Sequence, residues 1–509
     1  MSFDASLKRN LAANYVSQIY VAVIGVVMVP LLIKFMGAEA YGLVGVFSMM
    51  QAWFQLLDLG ITPTISREAT RLAAGHGNAR DLRHVLRAAE KLFILIAVCA
   101  TGALVLWSDE IAAEWLKAET LNVSEVRTAI VLIALIVGLR LIAGLYRGIL
   151  SGLEELVWVA GFNVTIASCR FILVLPILIY VDATPTYYFG FQLLVAIVEL
   201  LTLTFKSYTV LPKPTIHLGA PGKGVLRKAV GFSAVLAFTH LIWVAVTQLD
   251  KLVLSKYLPL TDYGYFSLAV LVASGLSVIS GPIAIALQPR LTRLYAAKDH
   301  EKFVSLYRSA TQIICVLVVP ATLMLAFFSK NILLIWSGDY HVSVAAAPIL
   351  TTYALGNGLN ALSGVSYSLQ LARGDLKLHV IRSILFVFLV APTIIYFSRQ
   401  FGAIGAGYTW VGVNVILFLL WVPLVHTRFF VRFHLRWMMY EIIPILSFSL
   451  ICTSLIYIFS SEPYSLTEII LTGIAVQLAA IASSSYLRNY IALRLGMVFK
   501  GNKVKVDLP

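Results

Sequence analysis

Charge is scarce in this chain: Asp, Glu, Lys and Arg make up 13% of its 509 residues, about half the roughly 25% of an average soluble protein. With 60% of the residues apolar, that scarcity excludes the row of soluble domains that length alone would suggest at roughly 150 residues each. Cysteine is scarcer still. Cys99, Cys169, Cys315 and Cys452 each stand alone inside a long apolar run, which excludes a disulfide framework. With no CxxC pair and no Cys/His cluster, no metal site is expected and no cofactor is implied. A phosphate-cradling loop is also missing. The nearest stretch, Gly219-Ala-Pro-Gly-Lys-Gly224, lacks the Walker spacing and the Ser or Thr after lysine, so an ATP-driven pump is excluded.

What the chain has in abundance is apolar runs of spanning length. A membrane helix needs about 20 mainly apolar residues, and that ruler marks about fourteen, from 11–33 and 42–63 at the start to 440–459 and 466–486 at the end. The fold class is therefore an all-α polytopic membrane protein. The net charge of +14 sits in short segments between apolar runs, without the stacking aromatics of a nucleic-acid surface; no nucleic acid is expected. With the N-terminus placed in the cytoplasm, most Lys and Arg fall on the cytoplasmic side, in Arg67 to Lys91, Lys206 to Lys228, Arg290 to Arg308 and Arg488 to Lys505. The longest external segment, Ser108 to Arg127, is instead acidic. That asymmetry predicts an even number of spans with both termini cytoplasmic. The first apolar run is full length and lacks an A-x-A site, so it reads as the first helix and not a cleaved signal.

At one constant offset the chain repeats itself: Lys34 maps onto Lys256, Tyr41-Gly42 onto Tyr263-Gly264, Thr70-Arg71-Leu72 onto Thr292-Arg293-Leu294, and Gly152 onto Gly374. The offset carries the first six spans onto the next six. Six is even, so both copies enter the membrane from the same side and are parallel. The expected organisation is an N-lobe (1–205), a cytoplasmic linker (206–228), a C-lobe (229–425), an extra helix pair (426–486) and a basic cytoplasmic tail (487–509).

The stretch Pro30-Leu-Leu-Ile-Lys-Phe-Met-Gly-Ala-Glu-Ala-Tyr-Gly42, with Leu57-Asp58-Leu59-Gly60 and Ser66-Arg67-Glu68-Ala69 after it, resembles the opening of bacterial polysaccharide transporters, the O-antigen and oligosaccharide flippases. Gly374-Asp-Leu-Lys-Leu378 and Phe401-Gly-Ala-Ile-Gly-Ala-Gly407 are similar to loops of that family's second lobe. The resemblance implies the fold of the multidrug, oligosaccharidyl-lipid and polysaccharide exporter superfamily. It also implies location in the bacterial inner membrane and passage of an anionic polyprenyl-diphosphate-linked saccharide to the outer leaflet by alternating access. The implied surroundings are the lipid bilayer, a polysaccharide polymerase and its chain-length machinery, with a monomer as the working unit.

The resemblance assigns no site residues one by one, so those come from the cost of charge in lipid, about 2.5 to 3.5 kcal/mol per side chain at the bilayer centre. Arg140 and Arg147 lie on one face of the fourth span with Gly144 and Ser151, poor lipid contact and a plausible cavity wall. Arg170 in the fifth span and Glu199 in the sixth form a buried ionic set with Arg140, either a structural ion pair or a site in which two arginines outnumber the one carboxylate and leave a positive charge for an anionic head group. Arg382, one turn into the eleventh span, is the contribution expected of the second lobe. A guanidinium suits the task because its planar fork meets phosphate oxygens two at a time. Glu199, Asp58 and His240 are candidates for coupling or ion pairing, with Asp58 favoured as a cap and His240 as a packing residue. Three other functions compete: multidrug efflux, which would favour buried carboxylates; flipping of a peptidoglycan lipid precursor; and a polytopic glycosyltransferase or polymerase, disfavoured by the shortness of every external loop. No catalytic residue is expected.

Overall fold

The computed structural model describes residues 3–75, 79–211, 241, 244, 247–375, 377–430, 432–460 and 464–489. Its described elements are helices, and strand pairing is limited to an isolated bridge between Lys117 and Pro259. Lipid explains the choice, since a helix satisfies its own backbone polar groups where no water can do so. Twelve helices are long and apolar enough to cross a membrane among the described residues, fewer than the expected fourteen. Two expected spans fall together in Ala12–Asp58, and the expected span at 229–253 lies largely outside the described residues.

The chain divides into two compact units, Met1–Ser267 and Leu268–Pro509. In the first, α1 (Phe3–Phe54) is broken at Gly37, whose φ of 85° and ψ of 164° leave the helical region. A sequence this long would reach about 78 Å if straight, so the break at Gly37 turns one run into two. The loop expected at 34–41 is thus a single glycine joint. A tight turn follows, in which Leu59 and Gly60 are both left-handed, and Asp58 accepts from the Thr62 backbone N–H at 3.1 Å and from the Thr62 hydroxyl. That cap starts α2 (Ile61–Ala73). Then come α3 (Ala79–Leu106), α4 (Val123–Gly152), α5 (Leu156–Phe171), α6 (Val174–Tyr180) and α7 (Pro185–Val210).

Within this unit α4 is central: 56% of its most apolar stretch is buried, against 17% for α3. Its Leu141, Leu145 and Ile149 pack with Ile65 and Ala69 of α2, Leu86 and Phe93 of α3, and Leu203 of α7. Leu92, Leu95 and Val98 on the outer face of α3 are exposed, as lipid contact requires. Polar groups in the apolar middle of α4 therefore sit largely among protein. The segment Ile111–Thr120 packs down beside α4, where Glu39 accepts from the backbone N–H groups of Glu119 (2.6 Å) and Thr120 (2.9 Å).

After α8 (Leu260–Ala296), which carries the division between units, the second unit contains α9 (His300–Phe327), α10 (Ser329–Ser337), α11 (Tyr340–Arg373), α12 (Lys377–Phe401), α13 (Ala403–Ile416), α14 (Val422–Phe429), α15 (Ile443–Phe459) and α16 (Leu466–Ser483). Here α9 and α11 are the buried pair, and Phe303, Tyr307, Leu323, Leu369, Val425 and Trp437 form their core. The prolines inside helices, Pro282, Pro320, Pro348 and Pro392 among them, each remove one ladder hydrogen bond.

Candidate functional site

The buried helix α4 keeps partial exposure on two faces, an apolar one at Leu132, Leu135, Leu139 and Ile142 and a polar one. Leu141, Ala143, Leu145, Tyr146, Gly148, Ile149 and Leu150 are buried, while Arg140, Gly144, Arg147 and Ser151 keep partial exposure. Those four recur at helical spacing and so form one stripe. The face that sequence spacing marks as unfit for lipid is one of the two that keep partial exposure.

Opposite that stripe stands Glu199 of α7, whose side chain is 3% exposed. Arg147 Nη2 lies 2.5 Å from Glu199 Oε1, and Arg170 Nη2 donates to Glu199 Oε2. Arg140 Nε comes within 4.0 Å of Oε2. Arg140 is held chiefly from α1: its Nη1 donates to Gln51 Oε1 at 2.6 Å, and its guanidinium sits 4.9 Å from the Phe47 ring centroid. Arg147 also donates through Nη1 to Asn163 Oδ1. Gln192 Nε2 donates to the Arg170 carbonyl at 2.9 Å, and Tyr20 and Ser168 share a hydroxyl bond of 2.7 Å that ties α1 to α5. Side chains from α4 and α5 thus converge on a carboxylate of α7, with α1 holding one of the arginines.

Three guanidiniums around one carboxylate leave two positive charges uncancelled. Arginine stays protonated in proteins, and a buried charge without compensation is costly. Two donors in the group also lack partners: Arg140 Nε and Arg170 Nε are buried and make no hydrogen bond to protein. A structural ion pair would need one arginine per carboxylate. The surplus charge and the spare donors suit an anion with several oxygens.

The other sequence candidates fall elsewhere. Asp58 caps α2, with Thr62 as its partner. Arg382 lies on α12 in the second unit, where no ion pair to it forms among the described residues and its Nε is buried without a partner. His240 lies outside the described residues. Among the described residues no group of His, Cys, Asp or Glu could hold a metal ion.

Sequence reasoning missed two polar clusters in the second unit. Glu441, with a side chain only 1% exposed, accepts from Arg308 and Gln312. Tyr307 OH lies 2.7 Å from His426 Nε2, and His426 Nδ1 lies 2.9 Å from His434 Nδ1. Glu199 is conspicuous because it lies inside an apolar run, whereas Glu441 stands at the first residues of the run 440–459 and reads as an interfacial charge.

The chain matches the sequence profile of the family described as polysaccharide biosynthesis protein over residues 7–295. It is 19% identical over 423 residues to the Shigella flexneri protein named "Putative O-antigen transporter", a match covering 83% of this chain and 98% of that one. Among solved structures, the lipid II flippase MurJ in an inward closed conformation superposes with a TM-score of 0.73 at 16% identity, over 94% of this chain and 99% of that one. An inward-facing multidrug resistance MATE family transporter of the MOP superfamily superposes with a TM-score of 0.65 at 16% identity, over 80% and 95%. At such identities the structural likeness establishes the fold alone.

Proposed function

Because the chain belongs to the polysaccharide biosynthesis protein family, we propose that it is a flippase, which carries a polyprenyl-diphosphate-linked oligosaccharide from the inner to the outer leaflet of the bacterial inner membrane. The cargo is an O-antigen or other surface polysaccharide repeat unit, and the named Shigella flexneri relative supports that class. One observation carries the site: Arg140, Arg147 and Arg170 gather around Glu199 with two positive charges to spare. A multidrug exporter for cations would need the opposite polarity.

The physical problem is the head group. Sugar hydroxyls and a diphosphate cannot cross hydrocarbon unsolvated, whereas the polyprenyl tail can stay in lipid throughout. Arginine forks replace the water lost by the phosphates with charge-assisted hydrogen bonds. Alternating access then exposes the site to each side in turn, and direction comes from a gradient or from consumption of the product outside, not from hydrolysis by this chain. The protein works as a monomer with both termini in the cytoplasm, beside a polymerase and its chain-length machinery, and catalyses no covalent step.

The test is purified protein in vesicles carrying a fluorescent polyprenyl-diphosphate saccharide, with leaflet exposure read by a membrane-impermeant quencher. Accelerated crossing over empty vesicles is expected, without added ATP. No acceleration with any lipid-linked saccharide, or movement of cationic drugs alone, would sink the reading.

A further inference from the structure

Resting on the flippase reading above, we propose that Glu199 is the residue that sets the charge of the site: an internal anion that reduces three arginines to a net of two positive charges and so matches it to a diphosphate diester. A diester of diphosphate carries one ionised oxygen on each phosphorus and therefore two negative charges. A phosphate diester carries one. The distinction between a diphosphate-linked and a monophosphate-linked lipid is then a matter of charge balance in a buried place, where an unbalanced charge is expensive.

The donors of the site are not used up by Glu199. Glu199 engages one terminal nitrogen of Arg147 and one of Arg170, while Arg140 is satisfied mainly by Gln51. A guanidinium offers five N–H donors, and the buried Nε atoms of Arg140 and Arg170 are still unpartnered. An arriving diphosphate would find those donors without displacing the carboxylate. The remaining polar side chains that hold the arginines, Gln51 and Asn163, are neutral, as is Gln192, which holds Arg170 through its backbone carbonyl. Glu199 alone in this group subtracts charge.

A consequence follows for release. With Glu199 neutral, the site would present three positive charges to a ligand carrying two and would hold it more tightly than the native protein does. Such a site gains affinity and loses turnover, because release on the far side requires the same contacts to be given up.

The experiment titrates the purified full-length protein with P1,P2-diethyl diphosphate (two charges) and diethyl phosphate (one charge) by calorimetry, with thermal unfolding run on every variant. Wild type should bind the diphosphate diester at least about tenfold tighter than the phosphate diester, and Glu199→Gln should tighten the diphosphate diester by at least another tenfold or so, since one charge at this range is worth that much in a partly dry site. In vesicles the same variant should flip lipid-linked saccharide more slowly. Folded Glu199→Gln that binds no tighter than wild type overturns the proposal and leaves Glu199 as a scaffold for the arginines. If that variant does not fold, Arg147→Gln decides: its net charge of one should narrow the preference for the diphosphate diester, and an unchanged preference overturns the proposal. Failure of wild type to bind either ester is a different result, and removes the arginine site itself.

Discussion

Gly42 and Gly264 pack on each other's helices reciprocally: a Cβ built on Gly42 would stand 2.3 Å from the Leu260 carbonyl oxygen, and one built on Gly264 would stand 2.3 Å from the Ala38 carbonyl oxygen. The repeat in the sequence relates 38 to 260 and 42 to 264, so exchanging the two copies maps the contact onto itself. Gly45 faces Ser267, its own counterpart, in the same way. Such self-mapping is what a local twofold between these two helix segments produces. Small residues at the crossing let the backbones approach, the main source of attraction between helices in lipid.

Gly42→Ala and Gly264→Ala should therefore each destabilise the protein, by roughly 1 to 3 kcal/mol, because the added methyl meets backbone that cannot swing aside. The two costs should be alike, and the double variant should lose less than their sum, since the first methyl already forces the helices apart. Thermal unfolding of detergent-purified protein measures this. Full stability in either single variant would remove the close crossing.

How much of this was legible in the sequence follows from what stands out against an apolar background. Arg140, Arg147, Arg170 and Glu199 could be grouped because a charge in a spanning run is conspicuous, and the structure brings all four together. Gln51 and Asn163 were not visible, since neutral amides cost little and occur on any helix. The separation of the first two apolar runs at 34–41 is legible in the sequence, and the structure breaks the helix there at Gly37, but that a single glycine makes the joint is not, with Lys34 and Glu39 beside it. Glu39 is instead absorbed by hydrogen bonds from a distant segment, Glu119 and Thr120, which no local pattern foretells.

Arg140 tests whether the guanidinium or only its charge matters. Lysine at this position would keep the charge but lose the planar fork that reaches Gln51 while lying over Phe47. Arg140→Ala is expected to reduce flipping in vesicles by at least about tenfold, and Arg140→Lys to recover only part of it. Wild-type rates in Arg140→Ala would take this residue out of the transport site.

Asp375, in the turn between α11 and α12, accepts from Arg428 Nε at 2.9 Å and Nη2 at 2.7 Å. Those bonds hold its carboxyl below the ordinary 3.8. A depressed folded value means that the pair's contribution is present above the ordinary value and is lost as pH falls through the depressed one. The acid limb of stability against pH should accordingly be shallower in Asp375→Asn than in wild type, with the difference in slope confined below about pH 4 and the difference in stability fully present above it. Identical acid limbs would mean that the pair adds nothing to stability.

The buried carboxylate of the second unit yields an asymmetric prediction. Glu441 is enclosed, but Arg308 is half-exposed and lines a cavity of about 600 Å³ together with Gln312, Glu441 and Tyr486. Gln312 spreads the network further: its Oε1 accepts from Ser484 Oγ at 2.6 Å and from the Tyr486 backbone at 2.9 Å. If Glu441 is neutralised, Arg308 can turn to water in the cavity, so Glu441→Gln should cost only about 1 kcal/mol. If Arg308 is removed, the carboxylate stays enclosed with one amide for company, and Arg308→Ala should cost about 3 kcal/mol. The more exposed partner is thus the more damaging to lose. Combining the two should recover most of the loss, because a buried amide needs no counter-charge. Unfolding measurements on the three variants form a closed cycle, and an Arg308→Ala no costlier than Glu441→Gln would show that the carboxylate draws its stabilisation from Gln312 and not from the ion pair.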